Sequence, residues 1–172
     1  MDILIKKARN HDPDAFCQLM DGQMNSMYKV AKAYLKNDED VADAIQDTIL
    51  TCYEKIDTLK QNRYFKTWLT RILLNKCSDI QKEQKRMTTI DAIPETPIID
   101  FNFDNVEWNE ILKSIDEKYR IIIILHYVEG FSAREIAQLL EMNENTVKAR
   151  ILRGRTILGK AYYSVEAKEE HV

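Results

Sequence analysis

Apolar positions recur along this chain at steps of three and four through most of its length, a period that predicts helix after helix. In the first half the expected helices cover residues 2–10, 12–35, 38–57 and 62–86. Asp12-Pro13 opens the second with an acidic cap and a proline in the first turn, where no amide hydrogen is needed. Asn37-Asp38-Glu39-Asp40 opens the third, and its acids lie at the positive end of the helix dipole. Asp43 and Asp47 continue the acidity one turn apart, so like charges share a face, a small destabilisation that an external basic partner would relieve. In the fourth helix Phe65, Trp68, Leu69, Ile72 and Leu73 form an apolar stripe, which assigns Trp68 to the core. Ile49, Leu50 and Ile56 serve either a core or an interface, and the core is the expectation.

The same period in the second half carries more chemistry. Ser132 followed by Glu135 has the spacing of a capping box. Ile136, Leu139 and Leu140 then give an apolar face, Met142-Asn143 interrupts it, and Asn143 caps a second helix. In that helix Val147, Ile151, Gly154 and Leu158 recur as one buried stripe. Gly154 points either to close backbone packing against the first of these two helices or to a tolerated defect of about 1 kcal/mol relative to Ala. The opposite face holds Asn145, Thr146, Ala149, Leu152, Arg153 and Thr156, flanked by Lys148, Arg150 and Arg155. An isolated basic stripe is usually only a solvated face. Two capped helices with paired stripes and a tight turn instead read as a helix-turn-helix whose second helix suits the major groove. There Arg pairs with guanine, Asn with adenine, and small apolar groups touch the thymine methyl.

Between the halves, residues 88–105 hold two of the three prolines, four acids and no base. Pro94 and Pro97 oppose helix continuation. The segment reads as a flexible linker whose Ile98, Ile99, Phe101 and Phe103 either dock on a partner or pack on the protein's own domains. The expected fold is all-α, with two small helical domains joined by that linker and the helix-turn-helix in the C-terminal one.

Charge and composition narrow the function. A net charge of −3 over 172 residues argues against a nucleic-acid partner only until its distribution is read. Residues 60–86 carry eight Lys or Arg against two acids (net +6), and residues 142–160 carry five against one (net +4), whereas residues 37–47 hold five acids and no base. Two basic segments predict two phosphate-facing patches. In the first, Tyr64 and Asn75 flank the apolar stripe, where stacking on an unpaired base and hydrogen bonding to it are chemically available. Cys17, Cys52 and Cys77 are far apart and without clustered histidines, which predicts reduced thiols in a cytoplasm rather than zinc or a disulfide frame. The longest apolar run, Ile121 to Leu125, is too short to cross a membrane, and no cleavable signal is expected. With only four glycines there is no phosphate-cradling loop, and no nucleophile–base pair is legible, so no catalytic residue, metal or cofactor is expected and the chain does not read as an enzyme.

Asp38-Glu39-Asp40-Val41-Ala42-Asp43-Ala44-Ile45-Gln46-Asp47-Thr48, then Phe65-Lys66-Thr67-Trp68-Leu69-Thr70-Arg71-Ile72-Leu73-Leu74-Asn75, then the helix-turn-helix form an ordered set over residues 12–160. Together they resemble an extracytoplasmic-function (ECF) sigma factor of the bacterial sigma-70 family, with a fainter likeness to its SigV-like members. The resemblance implies an initiation factor that binds core RNA polymerase, directs it to promoters and helps open the duplex in a stress response. Residues 1–87 would form the region 2-like domain, 88–105 the linker, 106–165 the region 4-like domain and 166–172 a tail. Asp43, Gln46 and Asp47 match positions facing the polymerase beta-prime clamp helices. Arg63, Tyr64, Lys66, Arg71 and Asn75, on the loop around Leu59–Tyr64 and the helix after it, match the part that melts the minus-ten element and captures a flipped base. Lys148, Ala149, Leu152 and Arg153, with Asn145 and Thr146 on the same helix, would read the minus-thirty-five element. Lys148 is a flank position, where a phosphate role competes with base reading.

Further partners implied by the resemblance are the polymerase beta flap and an anti-sigma factor, commonly membrane-anchored, with no direct membrane insertion of the chain itself. The acidic linker would thread toward the RNA exit path, a channel suited to polyanions. Three positions depart from the family pattern: Glu141 stands where glycine is common, Gly154 replaces a usual alanine, and Lys82 replaces a common arginine. Two rivals remain at this stage, a response-regulator type of transcription factor and a helical adaptor without a DNA role. The first needs alternating strands and helices before the helix-turn-helix, and residues 1–87 read as wholly helical.

Overall fold

Side-chain caps decide where most of these helices begin. Asp12 accepts a hydrogen bond from the Ala15 amide (3.0 Å), Asn37 from that of Asp40 (2.7 Å), Asp116 from that of Lys118 (3.1 Å), and Ser132 from that of Glu135 (3.3 Å). Each satisfies an amide that the helix itself leaves without a partner. The computed structural model describes residues 1–87, 112 and 115–169, with side chains for 1–86, 112 and 115–160. The expectations for the linker 88–105 lie outside the described residues. Eight helices and no strand occur among them: α1 Asp2–Arg9, α2 Pro13–Asp21, α3 Met24–Tyr34, α4 Asp38–Lys55, α5 Phe65–Met87, α6 Glu117–Ile123, α7 Ala133–Leu139 and α8 Glu144–Glu169. The chain divides into two units, Met1–Ile98 and Ile99–Val172.

In the first unit α4 packs along α5 and α3 against both, while α1 and α2 pair with each other. Val41, Ala44, Ile45, Thr48 and Cys52 of α4 and Phe65, Leu69, Leu73 and Cys77 of α5 are buried at this centre. Burial raises both thiols to about 12, because a thiolate there would lose its hydration. Two short 3₁₀ turns, Ile56–Thr58 and Asn62–Tyr64, join α4 to α5. The single helix expected over 12–35 is two. At Gly22-Gln23 the Gln23 amide bonds Met20 O at 2.8 Å, a tightened turn that ends α2, and the Gln23 carbonyl restarts the ladder to the Met27 amide at 2.9 Å. Glycine already weakens a helix interior by about 1 kcal/mol, and Gln23 is buried at the corner.

In the second unit the run Ile121–Leu125 is buried throughout. Its helix passes from α6 into a π-helical turn, Ile124–Val128, closed by the Phe131 amide on Leu125 O at 2.9 Å. The helix that follows the bend, α8, continues to Glu169, so residues 166–169 are helical where a tail was expected. Ala167, Lys168 and Glu169 are good helix formers, and no glycine or proline stops them.

The bend between α7 and α8 contains the departure at Glu141. Leu140 caps α7, Met142 N bonds Ala137 O at 2.9 Å, and Glu141 lies at φ +53°, the left-handed position of a Schellman motif. A side chain costs about 1–2 kcal/mol there. Part of that cost returns through the greater freedom of an unfolded glycine, so Glu141→Gly is expected to stabilise the C-terminal unit by about 0.5–1 kcal/mol. Thermal denaturation of the two chains checks this, and an unchanged or lower midpoint for the variant counts against the strain.

Candidate nucleic-acid and protein interfaces

The helix-turn-helix is built from its caps outward. Ser132 and Glu135 close a reciprocal capping box, with Glu135 Oε2 accepting from the Ser132 amide (2.9 Å) and hydroxyl (2.7 Å). Those hydrogen bonds hold the Glu135 carboxyl below its ordinary range. In α8, Val147 and Gly154 are buried and Ile151 and Leu158 half-buried, as the stripe requires. Gly154 answers one alternative from the sequence with a different partner. A Cβ placed there would lie 3.0 Å from Cγ1 and 3.2 Å from Cδ1 of Ile123, so the close approach is to α6 and not to α7.

On the outward face Asn145, Thr146, Lys148, Ala149, Leu152 and Arg153 are all exposed, and Leu152 is 68 % exposed. Such exposure of an aliphatic chain amid polar neighbours is a ready contact for a thymine methyl. Arg153 has no partner among the described residues, so its guanidinium is available. Lys148 is engaged: its Nζ lies 2.7 Å from Glu144 Oε1, and that hydrogen bond holds the Glu144 carboxyl below the usual range. Arg150 turns back toward the bend, with Nη1 3.7 Å from Met142 Sδ.

A second basic surface lies on α5 and the turn before it. Tyr64 is 50 % exposed, and the Arg63 guanidinium stands 4.7 Å from its ring centre. Arg71 and Asn75 are exposed and Lys66 half-buried. Trp68 is not enclosed: it is half-buried, its ring 6.1 Å from that of Phe65, and it shares the helical face of Arg71 and Asn75 at steps of three and four. The apolar period alone had merged it with the core stripe, whereas its place on the face of Arg71 and Asn75 was the signal for a surface role.

The acidic helix separates its charges by use. Asp38 pairs with Lys32, Asp40 accepts from Gln84, and Asp47 Oδ2 lies 3.7 Å from Lys76 Nζ. The repulsion between Asp43 and Asp47 is therefore partly relieved from within, by a lysine on α5. Asp43 has no partner among the described residues, and Asp43, Gln46 and Asp47 are all exposed. Leu50 and Tyr53, 56 % and 48 % exposed, continue this face, while Ile56 is buried and Ile49 half-buried. Leu50 thus corrects the core expectation. The buried positions 41, 44, 45, 48 and 52 leave it on the outward side of α4.

Residues 23–87 match the family model for sigma-70 region 2, and residues 106–158 that for sigma-70 region 4. The chain is similar to the ECF RNA polymerase sigma factor SigW of Bacillus subtilis, with 31 % identity over 91 % of this chain and 93 % of that protein. It is also similar to the RNA polymerase sigma factor SigV of the same species, with 29 % identity over 76 % of this chain and 81 % of that one. Among solved structures, the sigma factor RpoE of Bartonella quintana, crystallised with the anti-sigma factor NepR, shares the fold. The TM-score is 0.70 at 22 % identity, covering 86 % of this chain and 96 % of that one.

Proposed function

This chain belongs to the ECF group of the sigma-70 family and is an alternative sigma factor directing transcription initiation; from that premise we propose how its surfaces divide the task. Asp43, Gln46 and Asp47, with Leu50 and Tyr53 beyond them, dock on the beta-prime clamp helices of core RNA polymerase, and the second unit meets the beta flap. Arg63, Tyr64, Lys66, Arg71 and Asn75 take the minus-ten element, with Tyr64 stacking on an unpaired base and Asn75 hydrogen-bonding to it. Asn145, Thr146, Ala149, Leu152 and Arg153 read the minus-thirty-five element in the major groove, and Lys148, once released from Glu144, meets a phosphate or a base. Lys and Arg contacts to phosphate hold the register while these few side chains specify sequence. The nucleotidyl transfer belongs to the polymerase, and the chain itself is no enzyme.

One observation carries this reading: the whole predicted base-reading face of α8 is exposed while the opposite stripe is packed. The protein works in the cytoplasm, where an anti-sigma factor, itself held at the membrane, covers these surfaces until a stress signal. No helix among the described residues is long and apolar enough to cross a membrane itself. The deciding experiment mixes the purified chain with core polymerase and a genomic DNA pool. Selection and opening of a discrete promoter set is expected, and transcripts no different from those of core polymerase alone would defeat the reading.

Arg153→Ala separates base reading from positioning. A loss of about 1–3 kcal/mol confined to one promoter position is expected if the guanidinium reads a base. Measured affinities that fall equally for every base at every position would instead make it a phosphate contact.

A further inference from the structure

α1 precedes the segment that matches region 2, yet it lies against both 3₁₀ turns that lead into α5. Arg9 Nη1 donates to Asn62 Oδ1 at 3.4 Å, and Asn62 Nδ2 donates to the carbonyl of Asp2 at 3.5 Å. Asn62 shares its turn with Arg63 and Tyr64. Arg9 also lines an open pocket of about 310 Å³, together with Lys6, Asn10 and Asp57. Two permanent cations line it with one carboxylate, and His11 Nε2 lies 3.3 Å from Asp57 Oδ2. His11 lies at φ +60°, the left-handed position of the Schellman motif that ends α1, where the Asp12 amide bonds Lys7 O at 3.2 Å. Beside Asp57 the pocket presents Lys6, the Asn10 amide and the Arg9 donors not used on Asn62.

We propose that this pocket binds a backbone phosphodiester of the unpaired strand, next to the base held at Tyr64. The inference rests on the sigma reading above and adds α1 to the strand's path. Arg9 links the two places physically, because it lines the pocket and its guanidinium donates to Asn62 in the turn that carries Tyr64. A phosphate would bring negative charge to a pocket where Lys6 and Arg9 outnumber the single carboxylate of Asp57.

The test uses the full chain with core polymerase and a fluorescent single-stranded oligonucleotide, the non-template minus-ten strand of a promoter selected as above. Lys6→Ala and Arg9→Ala are each expected to weaken binding about three- to tenfold and to lower the slope of log K against log salt by about 0.7. Arg9→Lys, which keeps the charge, recovers most of the affinity. Moving a single uncharged methylphosphonate linkage along the oligonucleotide locates one position at which wild type and both alanine variants bind alike. Alanine variants that bind like wild type, an unchanged salt slope, or a loss indifferent to every linkage overturns the proposal. So does failure of Arg9→Lys to rescue, which would leave Arg9 a brace for Asn62. Tyr64→Ala keeps the two failures apart: a Tyr64→Ala defect beside normal Lys6 and Arg9 variants rejects the pocket alone, whereas no selected promoter, or no Tyr64→Ala defect, rejects the reading beneath it and the pocket with it.

Discussion

Reversing two charges in Asp43→Lys/Asp47→Lys is expected to weaken core polymerase binding by about 100-fold or more, since facing like charges across an interface cost several kcal/mol. The two positions are not equivalent. Asp47 is already shared with Lys76 at 3.7 Å, whereas Asp43 has no partner among the described residues. Asp43→Lys alone should therefore account for the larger part of the loss. The isolated fold should hold, because both carboxylates are exposed and a surface pair of this kind contributes no more than about 1 kcal/mol. Titrating labelled variants with core polymerase, beside thermal denaturation of each, reads both effects. Wild-type affinity in the double variant would return these acids to the ordinary solvated surface.

Gly154→Leu should unfold the C-terminal unit or leave it molten. The alanine Cβ alone would stand 3.0 Å from Ile123 Cγ1, and Ile123 is fully buried with Ile115 beneath Leu112, Tyr119, Ile157 and Leu158. One extra methylene in such a core costs about 1–3 kcal/mol, and three more carbons exceed what α6 can yield. A helical unit of this size has only a few kcal/mol in hand. Gly154→Ala is the graded case, its gain in helix propensity of about 1 kcal/mol set against the same contact. Adding Ile123→Val removes the Cδ1 contact at 3.2 Å but keeps Cγ1, so it should relieve only part of the clash, a coupling that a double-mutant cycle measures directly. Circular dichroism melts that show Gly154→Leu as stable as the parent would mean that α6 moves aside freely.

The local signals were legible wherever a residue acts on its own backbone. Ser132 with Glu135, Asp12 with Pro13, and Asn37 each start a helix as their spacing predicts, and the stripe Val147–Ile151–Gly154–Leu158 faces inward. What escaped depends on a second element. Leu50 is the exception, since its steps of three and seven from Asp47 and Asp43 already place it on the acidic face, off the buried positions 41, 44, 45, 48 and 52. Trp68 straddles the core stripe and the face of Arg71 and Asn75, so its half-burial depends on the helices packed along α5. Gly154 announced a close approach but not its partner, because α6 is distant in sequence. The break at Gly22-Gln23 was hidden for a related reason, since apolar periodicity continues in register on both sides of it. The part of α1 in the candidate strand path was equally invisible, as Lys6 and Arg9 read as ordinary helix-end bases until Asn62 and Asp57 were placed beside them.

Oxidants meet the three thiols of this fold unequally. Cys52 and Cys77, sealed between α4 and α5 and raised to about 12, stay protonated throughout the range of cellular pH and offer no thiolate to peroxide or to a mixed disulfide. Cys17 alone is exposed, on α2. A burst of peroxide would thus reach one sulfhydryl while α4 and α5 kept their packing. Labelling at Cys17 in an otherwise untouched chain follows as a practical handle on the protein.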